Sequence, residues 1–111
     1  MSFQLSEEHQ AIRQAVREFG ENEIEPVARE HDEEHKYPHD IVEKAAEYDF
    51  VAPNIPVEYG GAGMETLSST LVTEELWRAD PGIGSAIGSR GFGSNMIQKF
   101  GDEWMKEEWL P

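Results

Sequence analysis

The segment Ile55-Pro56-Val57-Glu58-Tyr59-Gly60-Gly61-Ala62-Gly63 constrains this chain more than any other, because it joins two helix-like stretches through a proline and three closely spaced glycines. Proline fixes φ, and glycine enters the φ > 0 region without a Cβ clash, so the segment specifies a rigid folded turn rather than a linker. On both sides of it apolar residues recur with the helical period of about 3.6, and two-residue alternation is missing. The expected fold class is therefore all-α, a bundle of about five helices forming one domain over residues 1–111. A domain of this length buries roughly two-thirds of the surface its unfolded chain exposes, enough for a thin core.

Local signals place the helices. Ser6 caps the first, Glu7 and Glu8 complement its dipole, and Ile12, Ala15, Val16 and Phe19 form its apolar stripe. Gly20 is expected to interrupt it; the pattern resumes at Ile24, Val27 and Ala28, with a bend at Pro26 because proline removes a backbone donor. A second helix follows Pro38, burying Ile41, Val42, Ala45, Ala46 and Tyr48, and stops near Asp49-Phe50. A third runs from Thr66 to Arg78 with Leu67, Leu71, Val72 and Leu76 inward. Asp80-Pro81 opens the next in a cap-then-proline arrangement. There Ile83, Ala86 and Ile87 face one side, and the glycines at 84, 88, 91 and 93 leave the other bare. Gly101 ends a short continuation through Met96, Ile97 and Phe100, and Asp102 caps a last helix carrying Trp104, Met105 and Trp109.

Charge narrows the function classes. The formal charge of −14, from 23 acidic and 9 basic residues, repels nucleic acid and anionic lipid. Runs such as Asp32-Glu33-Glu34 and Glu107-Glu108 read as solvated helix faces, the surface of a halophile's protein. Cysteine is absent, which removes disulfides and Cys-based zinc sites and fits a reducing cytoplasm. Met1 to Glu8 is polar, with neither a signal peptide nor a membrane span.

Three motifs imitate chemistry. Gly82-x-Gly84-x-x-x-Gly88 follows Asp-Pro and not a strand, so it lacks the context that aims N–H groups at a pyrophosphate. A face stripped of side chains serves instead to let another chain or a narrow ligand approach the backbone. His31, His35 and His39 have the spacing of metal ligands on one helix face, but Pro38 breaks that helix before His39. Glu74 and Glu75 point about 100° apart on a helix and cannot act as an acid/base pair, so one is expected to bond within the fold and the other to be solvated.

Taken in order, Ile24-Glu25-Pro26-Val27, Tyr37-Pro38, the Pro56 to Gly63 turn, Glu74-Glu75-Leu76, Asp80-Pro81 and the closing Gly101…Leu110-Pro111 make the chain resemble the amino-terminal helical domain of acyl-CoA dehydrogenases. Where the family commonly has glycine this chain has Asp49, which tolerates the left-handed conformation better than most residues. The resemblance implies a three-domain FAD enzyme, usually a homotetramer, that oxidises acyl-CoA to trans-2-enoyl-CoA and passes electrons to an electron-transfer flavoprotein. It also implies that the catalytic carboxylate and most flavin contacts lie in the central and carboxyl-terminal domains, outside this sequence, and that this fragment alone is inactive.

By position, the resemblance assigns Gly84, Ser85, Gly88 and Phe92 to the lining of the acyl pocket, with Arg90 near its edge. Some relatives carry glutamate where Gly88 stands, closing the pocket floor; those acting on glutaryl-CoA carry arginine where Gly84 stands. Glycine at both positions implies medium to long or branched acyl chains and argues against a dicarboxylate. The competing reading of these glycines is close helix packing, since glycine costs about 1 kcal/mol inside a helix. Other readings of the chain are the same domain of an acyl-CoA oxidase or nitroalkane oxidase, and a non-catalytic helical interaction module using Trp104 and Trp109.

Overall fold

The computed structural model describes residues 3–111. The polar start read from Met1 is thus described only from Phe3; Met1 and Ser2 lie outside the described residues. The fold is all-α, as the periodicity requires. The order is α1 (Glu7–Phe19), α2 (Ala28–Glu33), α3 (His39–Glu47), α4 (Thr66–Ala79), α5 (Pro81–Ser89), α6 (Ser94–Phe100) and α7 (Glu103–Trp109). α4 packs between α1 and α5, α5 also touches α2 and α3, and α6 packs on α7. The molecule is a slab of 42 × 38 × 19 Å, whose thin dimension is about two helix diameters.

Helix starts follow the local chemistry. Ser6 Oγ accepts the His9 N–H at 3.1 Å, and Asp80 Oδ2 accepts the Ile83 N–H at 2.8 Å ahead of Pro81. α4 has a cap that the sequence reading missed: Glu65 accepts from Leu67 N and Ser68 N, both at 2.9 Å. Its carboxyl is pushed down to about 2, first by the Ser68 hydroxyl, then by the Leu67 amide and His9.

α1 ends where Gly20 is expected to interrupt it, but it gives way to a π turn and the helical path continues. The φ and ψ of Gly20, −59° and −47°, are helical, and the chain runs on through a π turn at Gly20–Ile24 and a 3-10 turn at Glu25–Val27. The 3-10 turn holds Pro26, the residue without an N–H. Gly20 is there because a Cβ would stand 2.8 Å from Ala79 Cβ; the glycine lets α1 meet the end of α4.

Val16, Phe19, Ile24, Ile41, Val42, Ala45, Phe50, Val72, Leu76, Ile83 and Ile87 form the core. Four residues expected inside are exposed: Ala15, Ala46, Tyr48 and Leu67. They sit at the margins of their apolar stripes in a slab too thin to cover a wide one. Tyr48 still packs its ring edge-on to Phe19, 5.8 Å between centroids. α3 stops as expected, with Asp49 left-handed at φ 61°.

The glycine turn is closed by its own backbone. Gly61 N bonds to Pro56 O at 3.1 Å, Gly63 N to Ile55 O at 2.8 Å and Met64 N to Pro53 O at 2.9 Å. Gly60 and Gly63 have φ of 88° and 62°, and a Cβ on Gly61 would lie 2.0 Å from the Ile55 carbonyl oxygen. Tyr59 pins the turn to α7 by donating its hydroxyl to Glu103 Oε1 at 2.6 Å.

Of the adjacent pair on α4, Glu74 is solvated and Glu75 is 1% exposed. Glu75 Oε1 accepts from Arg13 Nε (3.0 Å) and Arg17 Nη2 (2.8 Å), and Oε2 from Arg17 Nε (3.1 Å) and Arg78 Nε (2.8 Å). These guanidinium groups, Arg17 foremost, hold its carboxyl down to about 2 against the opposing effect of burial. The carboxylate fastens α1 to α4.

Candidate functional site

α5 is built with two unlike faces. Ile83 and Ile87, one turn apart, enter the core at 3% and 0% exposure. The glycines that looked like one bare face have separate tasks. A Cβ on Gly84 would lie 3.0 Å from the Leu76 carbonyl oxygen and 3.1 Å from Trp77 Cδ1, so this glycine seats α5 against α4. Gly91 seats its segment against Ala52 in the same way, a Cβ there meeting Ala52 Cβ at 2.8 Å. Gly93, at φ 89°, starts α6 in a conformation suited to glycine. Only Gly88 of the four is a helical glycine with nothing within 4 Å of an added Cβ.

That opening lies on a groove of about 930 Å³ between α4 on one bank and α5, α6 and the 50–54 segment on the other. The α4 bank carries Thr66, Thr70, Thr73 and Trp77, spaced as one helical stripe, flanked by Ser69, Glu74 and Leu76. Thr70 and Thr73 spend their hydroxyls on the helix, donating to Thr66 O at 2.8 Å and Ser69 O at 3.1 Å. Phe50, Leu76 and Phe92 add apolar lining. Ser69 Oγ and Gln98 Nε2, both on groove-lining side chains, are buried without a hydrogen-bond partner. The trough is of mixed polarity, with Glu65 and Glu74 also on its lining, and its length and unspent polar atoms suit a narrow, flexible ligand rather than chemistry of its own.

The five residues assigned from the sequence divide. Gly84, Gly88 and Phe92 line the groove, whereas Ser85 is exposed and does not line it. Arg90 follows the end of α5 and lines a second hollow of about 340 Å³ beside the glycine turn. Phe92 lies beyond α5 and is 84% exposed, so it does not continue the face of Gly84 and Gly88. The α4 bank escaped the sequence reading; its signal was the threonine stripe, legible at 66, 70 and 73.

The other motifs resolve into structure. The space a dinucleotide would need at Gly82-x-Gly84 is taken: Asp80 Oδ2 binds the Ile83 amide and stands 3.2 Å from where a Gly82 Cβ would be, and Leu76 fills the place beside Gly84. The residues present therefore do not fit a flavin or nicotinamide diphosphate at that turn. The histidines do not share one helix face, because α2 ends at Glu33 and His35 turns left-handed at φ 54°. His31 donates from Nδ1 to the Val27 carbonyl at 2.9 Å. Among the described residues no group of three His, Cys, Asp or Glu side chains is placed to hold a metal, and no helix is long and apolar enough to cross a membrane.

Residues 6–111 match the family model for the acyl-CoA dehydrogenase amino-terminal domain. The chain belongs to that family. It is 35% identical over 111 residues to the short-chain specific acyl-CoA dehydrogenase of Clostridium acetobutylicum, covering 99% of this chain and 29% of the relative. With the mitochondrial short-chain specific enzyme of Bos taurus the identity is also 35%, over 98% of this chain and 27% of the relative. Among solved structures, butyryl-CoA dehydrogenase from Megasphaera elsdenii superposes with a TM-score of 0.84 at 28% identity, over 99% of this domain and 30% of that chain. A chain from work on the electron transferring flavoprotein of Acidaminococcus fermentans and flavin-based electron bifurcation superposes at 0.91 with 33% identity, over 99% of this domain and 29% of that chain. The domain thus spans less than a third of the length of these relatives.

Proposed function

We propose that the chain is the amino-terminal domain of a flavin-dependent acyl-CoA dehydrogenase, and that the groove along α4 and α5 forms one wall of the pocket for the acyl chain. The observation carrying this reading is the open groove at Gly88 in a chain that matches the family from residue 6 to 111. In the complete enzyme FAD supplies the oxidation of the Cα–Cβ bond, and the carboxylate base, the flavin contacts and the tetramer interface come from polypeptide outside these residues. Acyl-CoA is the substrate and an electron-transfer flavoprotein the acceptor. The part played by this chain is to hold the acyl chain and exclude water from it. Gly88 admits the chain, and Phe50, Leu76 and Phe92 provide apolar contact worth about 0.8 kcal/mol for each methylene buried.

The absence of a side chain at Gly88 favours acyl chains longer than butyryl. Relatives named short-chain specific favour a shorter one, and a chain-length series in the complete enzyme separates the two. Gly88→Glu there should lower kcat/KM steeply for octanoyl-CoA and little for butyryl-CoA; an equal loss for both would remove Gly88 from the pocket. A non-catalytic interaction module is favoured by one observation, the exposure of Trp104 and Trp109 at 55% and 64%. Sequencing the gene past the codon for Pro111 decides between the readings. A β domain followed by a late carboxylate supports the enzyme, and a stop codon supports the module.

A further inference from the structure

We propose that Arg90 and the hollow beside it form a binding site for an oxyanion, the phosphate or carboxylate of a ligand. The proposal stands on the second hollow and not on the acyl groove.

In a chain this acidic nearly every arginine is spent on a carboxylate. Arg13, Arg17 and Arg78 hold Glu75, and Arg29 pairs with Glu33 at 2.9 Å. Among the described residues Arg90 is the one arginine with no carboxylate oxygen within 4.0 Å. The carboxyl end of α5 favours a cation through the helix dipole, and that explains a positive residue there. It does not use the guanidinium, whose planar fork of N–H donors matches phosphate or carboxylate in two-point contact.

The hollow suits such a guest. It is lined by Arg90 and by Gly60, Gly61 and Ala62; the Gly60 and Gly61 amides are already bonded within the turn, so the guanidinium is the donor it offers. The rings of Phe92 and Trp109 border it, and an apolar border strengthens a charge contact by thinning the water around it. It shares Ala52, Gly91, Phe92 and Ser94 with the large groove, so one ligand can lie in the groove and place an anionic group at Arg90. Asp49 is the one acidic side chain lining the hollow; it and the terminal carboxylate of Pro111, which also lines it, oppose the anion. The φ of 61° at Asp49 is one that asparagine also adopts readily, so its charge is removable with the backbone kept.

The test is a titration of the ¹⁵N-labelled 111-residue chain with sodium pyrophosphate and, separately, sodium glutarate, at ionic strength held constant with sodium chloride. Saturable shifts are expected at the Gly91 and Phe92 amides and at Arg90 Nε–H, with Kd on the order of millimolar. Arg90→Gln should weaken binding about tenfold, and Asp49→Asn should tighten it about threefold. Arg29→Gln, at an exposed pair elsewhere, should leave it unchanged. Tighter binding of pyrophosphate identifies a phosphate site, and tighter binding of glutarate a carboxylate site. Shifts that never saturate, or that persist undiminished in Arg90→Gln, would overturn the proposal. The acyl groove is tested separately, by the Gly88→Glu chain-length series in the complete enzyme, so failure of either reading leaves the other standing.

Discussion

Replacing Glu75 by glutamine should be among the most damaging single changes in this domain, although it alters one atom in size by almost nothing. The carboxylate is 1% exposed and accepts four charge-assisted hydrogen bonds from three arginines at 2.8–3.1 Å. Glutamine keeps one oxygen acceptor and turns an NH₂ group toward guanidinium N–H donors. Removing one partner from a buried ion pair costs about 3–5 kcal/mol when the other charge stays buried. Here the side chains of Arg13, Arg17 and Arg78 are 41%, 34% and 44% exposed, so water recovers part of that loss. The expected cost is about 3 kcal/mol at pH 7, or roughly a 13 °C fall in Tm for a chain of this length. Urea unfolding followed by far-ultraviolet circular dichroism and by tryptophan fluorescence measures it.

The same reasoning fixes the pH dependence. In the folded chain the Glu75 carboxyl is held down to about 2, below the 4.5 of an unperturbed glutamate. A depressed folded value means that the stabilisation is complete above pH 4.5 and fades as pH falls toward 2. The gap between the parent and Glu75→Gln should therefore narrow over that interval. A gap under about 0.5 kcal/mol at pH 7, or one of constant size from pH 6 to pH 2.5, would refute the buried-carboxylate account.

Three further outcomes follow from named contacts. Gly84→Ala places a methyl 3.0 Å from a main-chain oxygen of α4 and should destabilise by about 1–3 kcal/mol, while Gly88→Ala meets open space and should stabilise by about 0.5–1 kcal/mol; equal effects in urea titrations would show that the two glycines share one task. Thermal midpoints should rise from low to molar potassium chloride, because the 14 excess negative charges repel one another less as the Debye length shrinks to about 3 Å; a flat or falling midpoint would sink the halophile reading. Tyr59 donates to Glu103 and its hydroxyl is pushed up to about 12, so the stability from this bond is whole below pH 10 and lost between pH 10 and 12. Tyr59→Phe should abolish that part of the alkaline loss, and a tyrosinate absorbance step at pH 10 in every tyrosine would contradict it.

The all-α class, the caps at Ser6 and Asp80-Pro81, the left-handed stop at Asp49 and the closed turn from Pro56 to Gly63 were all legible in the amino-acid sequence. Each depends on residues within a few positions of one another, and φ, ψ and capping are settled at that range. Reading Gly84 and Gly88 as pocket candidates likewise needed only the bare helix face and the family likeness. Tertiary structure decided the rest. It made Gly20, where α1 passes into a π turn, the point of contact with Ala79, and gave Gly84 to helix packing while Gly88 alone stayed open. It left Ala15, Ala46, Tyr48 and Leu67 outside, and brought Arg13 and Arg17 to a glutamate 62 and 58 residues away. A periodic pattern tells which side of a helix is apolar, but not which helix will lie against it, how close the two backbones come, or which charges that approach excludes from water.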